Sequence, residues 1–323
     1  MAITMAQALN TALHDAMAAD DRVVMFGEDV GRLGGVFRIT DKLAERFGEG
    51  RCFDTPLAES GIVGSAIGMA LYGWRPVVEI QFDGFTYPAF EQIVSHLAKL
   101  RNRSRGTVSV PVVVRIPYGG GIGAVEHHSE SPEAYFAHTA GLKVVTPGTP
   151  SDGYSLLREA IAHPDPVIFL EPKRRYWLRE EVTLPIRTEP FSRAVIRRPG
   201  RTATLVGYGP MVRTCLDAAE GGVDEGWDLE VVDLRTLDPL DVETLVASVQ
   251  RTGRAVVVHE ASVFAGFGAE IAAQITERAF YDLEAPVLRV GGFDVPYPAA
   301  KLEEYFLPDT DRILDAVGRA LEF

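Results

Sequence analysis

Glu59 is the residue whose placement first suggests chemistry. Within the stretch DTPLAESGIVGSAIGMALYGWR, which runs from Asp54 to Arg75, it is the only charged residue between the two ends. A lone carboxylate among small and apolar residues either lies at the exposed end of a helix or faces a ligand donor in a semi-apolar cleft. A helix N-terminus also favours a carboxylate by some tenths of a kcal/mol, so both interpretations stay open.

Two adjacent histidines form a second candidate, in the segment EHHSE from Glu126 to Glu130. In an extended segment neighbouring side chains point opposite ways, so at most one of His127 and His128 faces a given pocket. Imidazole exchanges protons near neutral pH, which makes one of the pair a catalytic candidate and the other a solvated neighbour. The other histidines complete no recognisable zinc-ligand spacing: His14, His96, His138, His163 and His259.

A glycine-rich segment, GGGIGA from Gly119 to Ala124, formally matches a dinucleotide-binding pattern. Two neighbours argue against that function. Pro117 interrupts the junction, and Ser131 with Pro132 offers a better helix start, as N-cap and first helical residue. We therefore predict a long loop over 117–130 at the carboxyl end of a strand, where α/β sheets place ligands.

The segment after Glu59 carries a stripe of small residues. Gly61, Gly64, Ser65 and Gly68 recur at helical spacing, on one face of a helix predicted from about residue 60 to residue 71. Glycine costs roughly 1 kcal/mol relative to alanine in a helix interior. The stripe therefore requires a close packing contact, either inside this protein or with a partner.

Alternating apolar runs and amphipathic segments predict the elements that position these residues. The pattern is that of βαβ units, an α/β fold with parallel sheets. From 171 to 200 it is interrupted by Pro172, Pro185, Pro190 and Pro199, which predicts a first domain over 1–175, a linker over 176–200 and a second domain over 201–323. The expected strands are 22–29, 75–82, 110–117, 142–147, 166–172, 202–209, 228–237, 255–260 and 286–292, and the expected helices of the first domain are about 4–19, 60–73, 85–103, 132–140 and 151–162.

Composition excludes several classes of protein. The 323 residues suffice for about two domains, and the net charge of −13 opposes nonspecific binding to nucleic acid. No apolar run is long enough to span a membrane, and the first residues lack the pattern of a signal peptide, so we expect a cytoplasmic protein. Cys52 and Cys215 are the only cysteines, which fits a reducing compartment and no disulfide framework.

Taken in order, these pieces resemble the E1 β subunits of thiamine-diphosphate-dependent 2-oxoacid dehydrogenase complexes. The resemblance covers nearly the whole chain and implies a transketolase-like pyrimidine-binding domain, a parallel sheet with helices on both faces, followed by a transketolase C-terminal α/β domain. The segments that carry it are FGEDVG (26–31), GVFRIT (35–40), DTPLAESGIVGSAIGMA (54–70), PVVEIQFDGFTYPAFEQI (76–93), HSESPEAYFAHTAGLKVVTP (128–147), DPVIFLEPK (165–173), DLRTLDPLD (233–241) and FGAEI (267–271).

The resemblance assigns roles to single residues. Glu59 matches the glutamate that shares a proton with N1′ of the cofactor's aminopyrimidine, so that the cofactor's own imino nitrogen can deprotonate its thiazolium C2. Leu57 and Gln81 match positions that line the same site, and Phe85 matches an aromatic residue that stacks on the pyrimidine. His128 matches the histidine that serves reductive acylation of the lipoyl group, and His127 has no counterpart.

The cofactor site implied by the resemblance is incomplete. The chain has no G-D-G segment followed by the asparagine that holds Mg²⁺ and the diphosphate in related enzymes. The family supplies that half from a separate α subunit in an α2β2 tetramer, so we expect this chain alone to be inactive. The β subunits also meet the lipoyl and subunit-binding domains of the E2 acyltransferase, which implies a further partner.

A potassium ion is a further expectation from the family. Several members hold K⁺ through backbone carbonyls at positions that match Val112, Ala160, His163 and Asp165. Carbonyl ligation tolerates any side chain, so this expectation rests on the family resemblance and not on the residue types.

The substrate and the rival functions complete the prediction. The segments IQFDGFTYPAF (80–90) and HSESPEAYFAH (128–138) resemble branched-chain forms most, with pyruvate and acetoin-cleaving forms next. A self-sufficient thiamine enzyme would need a much longer chain. A noncatalytic assembly subunit with the same fold is the alternative from another class, and the joint presence of Glu59, Phe85 and His128 argues against it.

Overall fold

A computed structural model describes residues 2–183, 186 and 190–323 of the chain. Fourteen strands and twelve α-helices are defined over these residues. The strands are β1 Ala2–Thr4, β2 Val23–Gly27, β3 Cys52–Asp54, β4 Arg75–Glu79, β5 Val113–Tyr118, β6 Lys143–Val145, β7 Val167–Pro172, β8 Arg179–Glu181, β9 Val195–Arg198, β10 Ala203–Gly207, β11 Leu229–Asp233, β12 Thr236–Asp238, β13 Ala255–Ser262 and β14 Leu288–Gly292. The helices are α1 Met5–Ala19, α2 Leu43–Phe47, α3 Glu59–Leu71, α4 Thr86–Glu91, α5 Leu100–Arg103, α6 Glu133–Ala137, α7 Pro150–Ala162, α8 Met211–Gly221, α9 Val242–Thr252, α10 Gly268–Ala279, α11 Glu303–Phe306 and α12 Thr310–Leu321.

The first half of the chain, joined by β12 from the second half, builds a sheet of order β12-β6-β7-β5-β4-β2-β3. All neighbours in it are parallel except β12, which runs antiparallel to β6. Its central strands are buried on both faces, as parallel strands covered by helices must be, and most of their side chains are apolar. The predicted α/β fold with a largely parallel sheet is confirmed.

Side chains of β2 show how the sheet acquires two covered faces. Val23 and Met25 pack into the apolar cluster that contains α1 and α7, whereas Val24 and Phe26 pack into the cluster that contains α3. Burying each such side chain contributes roughly 1.5–3 kcal/mol. The β2 strand therefore ends at a fixed level between two helical layers, and its following residues emerge at the carboxyl edge of the sheet.

The second half builds a five-stranded sheet of order β14-β13-β10-β11-β9, with β9 antiparallel to its neighbour. Helices α8 and α12 cover one face. The other face, with α9 and α10, belongs to the same apolar cluster as the α3 side of the first sheet. The two halves thus share a continuous core, which places loops of the second half against the carboxyl edge of the first sheet.

The predicted strand 228–237 is wrong as a single element. The chain leaves β11 after Asp233, and Arg235 adopts a positive φ of 60° that ends the strand. Its guanidinium is buried and binds Asp152 of α7 at 2.8 Å, which turns the chain back toward the first half. The next residues then form β12 on the edge of the first sheet.

Two predicted helices also differ from the structure. The helix expected over 85–103 is interrupted between α4 and α5 by a π turn and a 3₁₀ turn. The helix expected from Pro132 begins at Glu133, whose buried side chain accepts a hydrogen bond from Tyr208 at 2.8 Å. Ser131 is therefore not the N-cap, since Pro132 occupies that position without a side-chain cap.

The segment predicted as a linker contains the strands β8 and β9. Strand β8 pairs with β1, and β9 joins the second sheet. Pro185, one of the prolines that indicated the linker, lies outside the described residues. Both cysteines are buried and unpaired. Across the described ranges, no helix has the length and apolar character that crossing a membrane requires.

Candidate active site

Glu59 is the first residue of α3, the helix that follows the edge strand β3 after a four-residue connection. The N-cap residue, Ala58, provides no side-chain cap. The carboxylate of Glu59 is the only acidic group in the first turn of the helix. Its placement there is favourable because of the helix dipole. The side chain is half-buried, and Leu57 two residues earlier is 81% exposed. Both residues therefore line an open surface of the single chain.

The glycine stripe of α3 shares this openness. Gly61 and Gly68 are exposed, and a Cβ at Gly68 would have no heavy atom within 4 Å. Only Gly64 approaches another element, with the side-chain oxygen of Gln92 at 3.4 Å from such a Cβ. Among the described residues, the stripe thus lacks the close backbone contact that internal packing would require. Exposed Leu71 lies on the last turn of the same helix.

Glu28 is a buried carboxylate for which the sequence patterns predict no role. It follows β2 directly, is 4% exposed, and neither carboxylate oxygen has a hydrogen-bond partner in the described part of the chain. Burial raises the pKa of Glu28 to about 7, and the charges of Glu59 and Asp29 add to this effect. The signal in the sequence was a charged residue immediately after a strongly apolar strand.

Gln81 completes this side of the site. It follows β4, and its amide donates a hydrogen bond to the exposed carboxylate of Asp29 at 3.0 Å. Because β2 and β4 are parallel neighbours, Glu28, Asp29 and Gln81 emerge at the same edge of the sheet. These groups, with Glu59, form what we call the carboxylate side of the site.

His128 lies across this edge, at the end of a 3₁₀ turn over Glu126–His128. Its ring stacks on Phe82, with centroids 4.0 Å apart and planes at 11°, and meets Phe85 edge-on at 5.1 Å. The neighbouring His127 is exposed over 55% of its side chain. We call His128, Phe82 and Phe85 the histidine side of the site.

The protonation pattern of His128 follows from one contact. Its Nδ1 lies 2.8 Å from the carbonyl oxygen of His127. A carbonyl can only accept a hydrogen bond, so Nδ1 carries the hydrogen and donates it. The neutral ring therefore keeps its basic lone pair on Nε2, the nitrogen that is available for proton transfer.

A buried ion pair supports the backbone of His128. Lys173 binds both the carboxylate of Asp83 and the carbonyl oxygen of His128, and both of the paired side chains are fully buried. The other oxygen of Asp83 accepts the backbone N–H of Glu130 at 2.8 Å. The backbone of His128 itself and that of Glu130, two residues later, are thus both held by one internal ion pair.

The loop predicted over 117–130 is confirmed, although it begins two residues later. Strand β5 extends to Tyr118, and the chain then runs as a loop to Pro132, the N-cap of α6. A hydrogen bond of 2.9 Å from Gly119 N–H to Glu130 O closes the loop. No helix begins within GGGIGA. The local geometry of a dinucleotide-binding turn is therefore absent from this described segment.

The four residues expected at a potassium site lie away from the carboxyl edge. Val112 precedes β5 and Asp165 precedes β7, which places them at the amino ends of these strands. The carbonyl oxygen of Ala160 accepts the N–H of His163 at 3.2 Å, and the guanidinium of Arg75 lies 3.5 Å from the carbonyl of His163. Within the described residues no group of three or more His, Cys, Asp or Glu side chains could hold a metal ion.

Comparison with known proteins identifies the family. The pyrimidine-binding domain of transketolase matches residues 1–177, and the transketolase C-terminal domain matches residues 192–313. The 3-methyl-2-oxobutanoate dehydrogenase subunit beta of Mycobacterium tuberculosis (strain ATCC 25618 / H37Rv) is 60% identical, over 99% of this chain and 92% of that protein. This chain belongs to the family of 2-oxoacid dehydrogenase E1 β subunits, the E1 β family.

Other relatives carry two substrate names. The pyruvate dehydrogenase E1 component subunit beta of Leifsonia xyli subsp. xyli is 56% identical, over 99% of this chain and 95% of that protein. The 2-oxoisovalerate dehydrogenase subunit beta of Pseudomonas aeruginosa is 46% identical over the same shares. A solved structure described as a split gene transketolase, an inactive beta4 tetramer, aligns with a TM-score of 0.81 at 25% identity, covering 99% of this chain and 98% of that one.

Membership of the E1 β family gives the two sides of the site a chemical meaning. The family depends on thiamine diphosphate, whose aminopyrimidine presents nitrogen donors and acceptors to the protein. A carboxyl group beside a second, unpaired and buried carboxyl group can share a proton with such a ring. Glu59 and Glu28 provide that pair, so the residues present fit the aminopyrimidine half of the cofactor.

Proposed function

We propose that this chain is the β subunit of a branched-chain 2-oxoacid dehydrogenase E1, which works with a separate α subunit. Together they would decarboxylate a branched-chain 2-oxo acid and transfer the acyl group to the lipoyl group of an E2 acyltransferase. One observation carries the proposal: Glu59 with the unpaired Glu28 and the Phe85–His128 pair emerge at the same edge of one sheet.

Glu59, Leu57, Gln81 and Phe85 are the residues that would hold the aminopyrimidine half of thiamine diphosphate. Glu59 would share a proton with ring nitrogen N1′, and Phe85 would stack on the ring. The bound cofactor supplies the electron sink for decarboxylation. The diphosphate and Mg²⁺ would be held by the α subunit, in an α2β2 tetramer.

His128 is the residue that we assign to acyl transfer. When the lipoyl disulfide opens, a thiolate forms that needs a proton. The ring can take up a proton at Nε2 and, once protonated there, deliver it to the thiolate, since Nδ1 already donates its hydrogen to the carbonyl of His127. The lipoyl domain of E2 would enter from the exposed side of the loop that carries His127.

Domain limits and the potassium ion belong to the proposal as well. For the domains we keep the limits predicted from the sequence: the pyrimidine-binding domain at 1–175, a connection at 176–200 and the C-terminal domain at 201–323. A K⁺ ion at the carbonyls of Val112, Ala160, His163 and Asp165 would share the carbonyl of His163 with the like charge of Arg75. Titration of the full chain with KCl, read by thermal denaturation against NaCl, tests that site.

Pyruvate is the second candidate substrate, because a relative named for pyruvate dehydrogenase is 56% identical, against 60% for one named for 3-methyl-2-oxobutanoate. The acyl pocket would also include residues of the α subunit, so the preference between the two substrates has to be measured on the assembled enzyme. Co-expression of α and β, followed by decarboxylation assays on both acids, should give a kcat/KM at least about 10-fold higher for 3-methyl-2-oxobutanoate.

Two outcomes would contradict the proposal. Full activity of the β chain without the α subunit would overturn the shared site. No decarboxylation of either acid by an assembled tetramer would favour the noncatalytic assembly subunit.

A further inference from the structure

The glycine-rich loop after β5 is held by side chains from the second half of the protein. Glu303, the first residue of α11, accepts the backbone N–H of Gly121 at 2.7 Å and that of Gly123 at 2.9 Å. Glu260, in β13, accepts the N–H of Gly120. Glu303 is 6% exposed and Glu260 is 3% exposed, so these charge-assisted hydrogen bonds are shielded from water.

This contact explains why the segment is rich in glycine without a nucleotide. Gly121 has a φ of +84°, and a Cβ there would lie 2.6 Å from Cδ of Arg174. At Gly119, with a φ of +80°, a Cβ would lie 2.8 Å from the carboxylate of Glu260. Left-handed backbone and close approach of side chains both require glycine. The loop offers its amides to two carboxylates of the same chain.

A short stretch of backbone and its hydrogen bonds lead from these carboxylates to His128. The carbonyl of Val125, two residues after Gly123, accepts the backbone N–H of His128 at 3.0 Å and the hydroxyl of Ser129 at 3.0 Å. The hydroxyl of Tyr297 donates to Glu303 at 2.7 Å and so fixes the carboxylate itself. The loop is therefore fastened on one side by Lys173 and on the other by Glu303.

We propose that Glu303, assisted by Glu260, is a positioning residue for acyl transfer: it holds the backbone of residues 119–123 so that His128 keeps its place in the site. The inference rests on the proposed function, because it concerns the step assigned to His128. It adds a contribution from the second half of the chain to a step whose proton donor lies in the first half.

The test uses Glu303→Gln in the full chain assembled with the α subunit. Glutamine has nearly the same volume, but its NH₂ group faces a backbone N–H and cannot accept its hydrogen bond. Transfer to free lipoyl domain should fall about 10- to 100-fold, because small displacements of a catalytic group cost that much. Decarboxylation with an artificial electron acceptor should stay within about 2-fold.

Glu304→Gln is the matched control, since it removes the same charge from the adjacent, exposed residue.

The double variant Glu303→Gln/His128→Ala should transfer no more slowly than His128→Ala alone, because both changes affect one proton transfer. Equal loss in the two assays, additive loss in the double variant, or unchanged transfer would overturn the inference.

Hydrogen exchange of the peptide covering 118–131 provides a readout that does not depend on activity. The amides of this loop should exchange faster in Glu303→Gln than in the unchanged chain and in the Glu304→Gln control. If Glu303→Gln does not fold, Glu303→Asp takes its place. This variant keeps the charge but withdraws the carboxylate from the loop, so the loop amides should again exchange faster. Unaltered exchange would refute the contact, whereas a wild-type tetramer that decarboxylates neither acid would refute the proposed function instead.

Discussion

The carboxylate side and the histidine side of the site are built to different degrees within this chain. On the carboxylate side, Leu57 is 81% exposed and Glu28 lacks any hydrogen-bond partner among the described residues. On the histidine side, a buried ion pair and two aromatic rings already surround His128. One side is open, and the other is complete before any partner arrives.

The difference separates what the chain can do by itself from what it needs a partner to do. Unpaired buried carboxyl groups are costly, and a ligand or a partner subunit that supplies a donor removes that cost. A histidine with a fixed ring and a defined proton needs no such help. We therefore expect the loss of a contact that supports the histidine side to destabilise the free chain, and the loss of the Glu59 carboxylate to affect the activity of the assembled enzyme.

Glu59→Gln should have the largest effect. The amide cannot share a proton with N1′ in the same way, so decarboxylation by the α2β2 enzyme should fall about 1000-fold, within the range of acid–base contributions. The assay is carbon dioxide release from 3-methyl-2-oxobutanoate. Exposed Glu49→Gln serves as the control. Retention of activity in Glu59→Gln with bound cofactor would remove this residue from the mechanism.

Lys173→Met tests whether the histidine side is complete in the free chain. The change leaves the carboxylate of Asp83 buried without its cation, which should lower the free energy of unfolding by about 3 kcal/mol. Denaturant unfolding of the isolated chain measures it, with exposed Lys301→Met as the control. If the loss occurred only in the assembled tetramer, the comparison between the two sides would be wrong.

His128→Ala should separate two steps that share one site. Transfer to the lipoyl domain should fall about 100-fold, equivalent to about 2.7 kcal/mol of barrier, while decarboxylation with an artificial acceptor is spared. His127→Ala, on the exposed neighbour, should leave both rates within about 2-fold. A parallel decrease in both assays for His128→Ala would contradict the division of labour.

Glu28→Gln should have the smallest effect, and it depends on pH. Because the pKa of Glu28 is raised to about 7 in the folded chain, its protonated form stabilises the fold at low pH, and that contribution is lost as the pH rises through 7. The neutral variant should therefore gain about 2.5 kcal/mol of stability relative to wild type between pH 5 and pH 8.

Thermal or denaturant unfolding of the free chain at the two pH values gives the measurement. Exposed Glu45→Gln is the control, and its difference from wild type should not change between them. A pH-independent difference for Glu28→Gln would show that this carboxyl group is already ionised and paired.

Sequence patterns predicted the elements that depend on local periodicity. Helix α1 matches the expected 4–19 closely, since its apolar spacing and the capping box at Thr4 are both local signals. The path of Arg235 was not predictable, because its turn depends on a buried ion pair with Asp152, 83 residues away. Long-range partners of this kind leave no periodic trace.

The same limit applies to the site. Glu59 and His128 were recognisable from their unusual neighbours, supported by the family resemblance. Glu303 was not, because nothing in its own segment indicates that it meets the amides of residues 121 and 123. The glycines showed only that something approaches the loop closely, and only the tertiary structure identifies what approaches.

Strand β12 has a consequence for taking this protein apart. It lies in the second half of the sequence but completes the edge of the first sheet beside β6. A fragment that ended at residue 200 would expose the backbone of β6 as a free strand edge, which invites aggregation. Exchanging halves between relatives would therefore succeed only if the residues of β12 were inherited together with the first sheet.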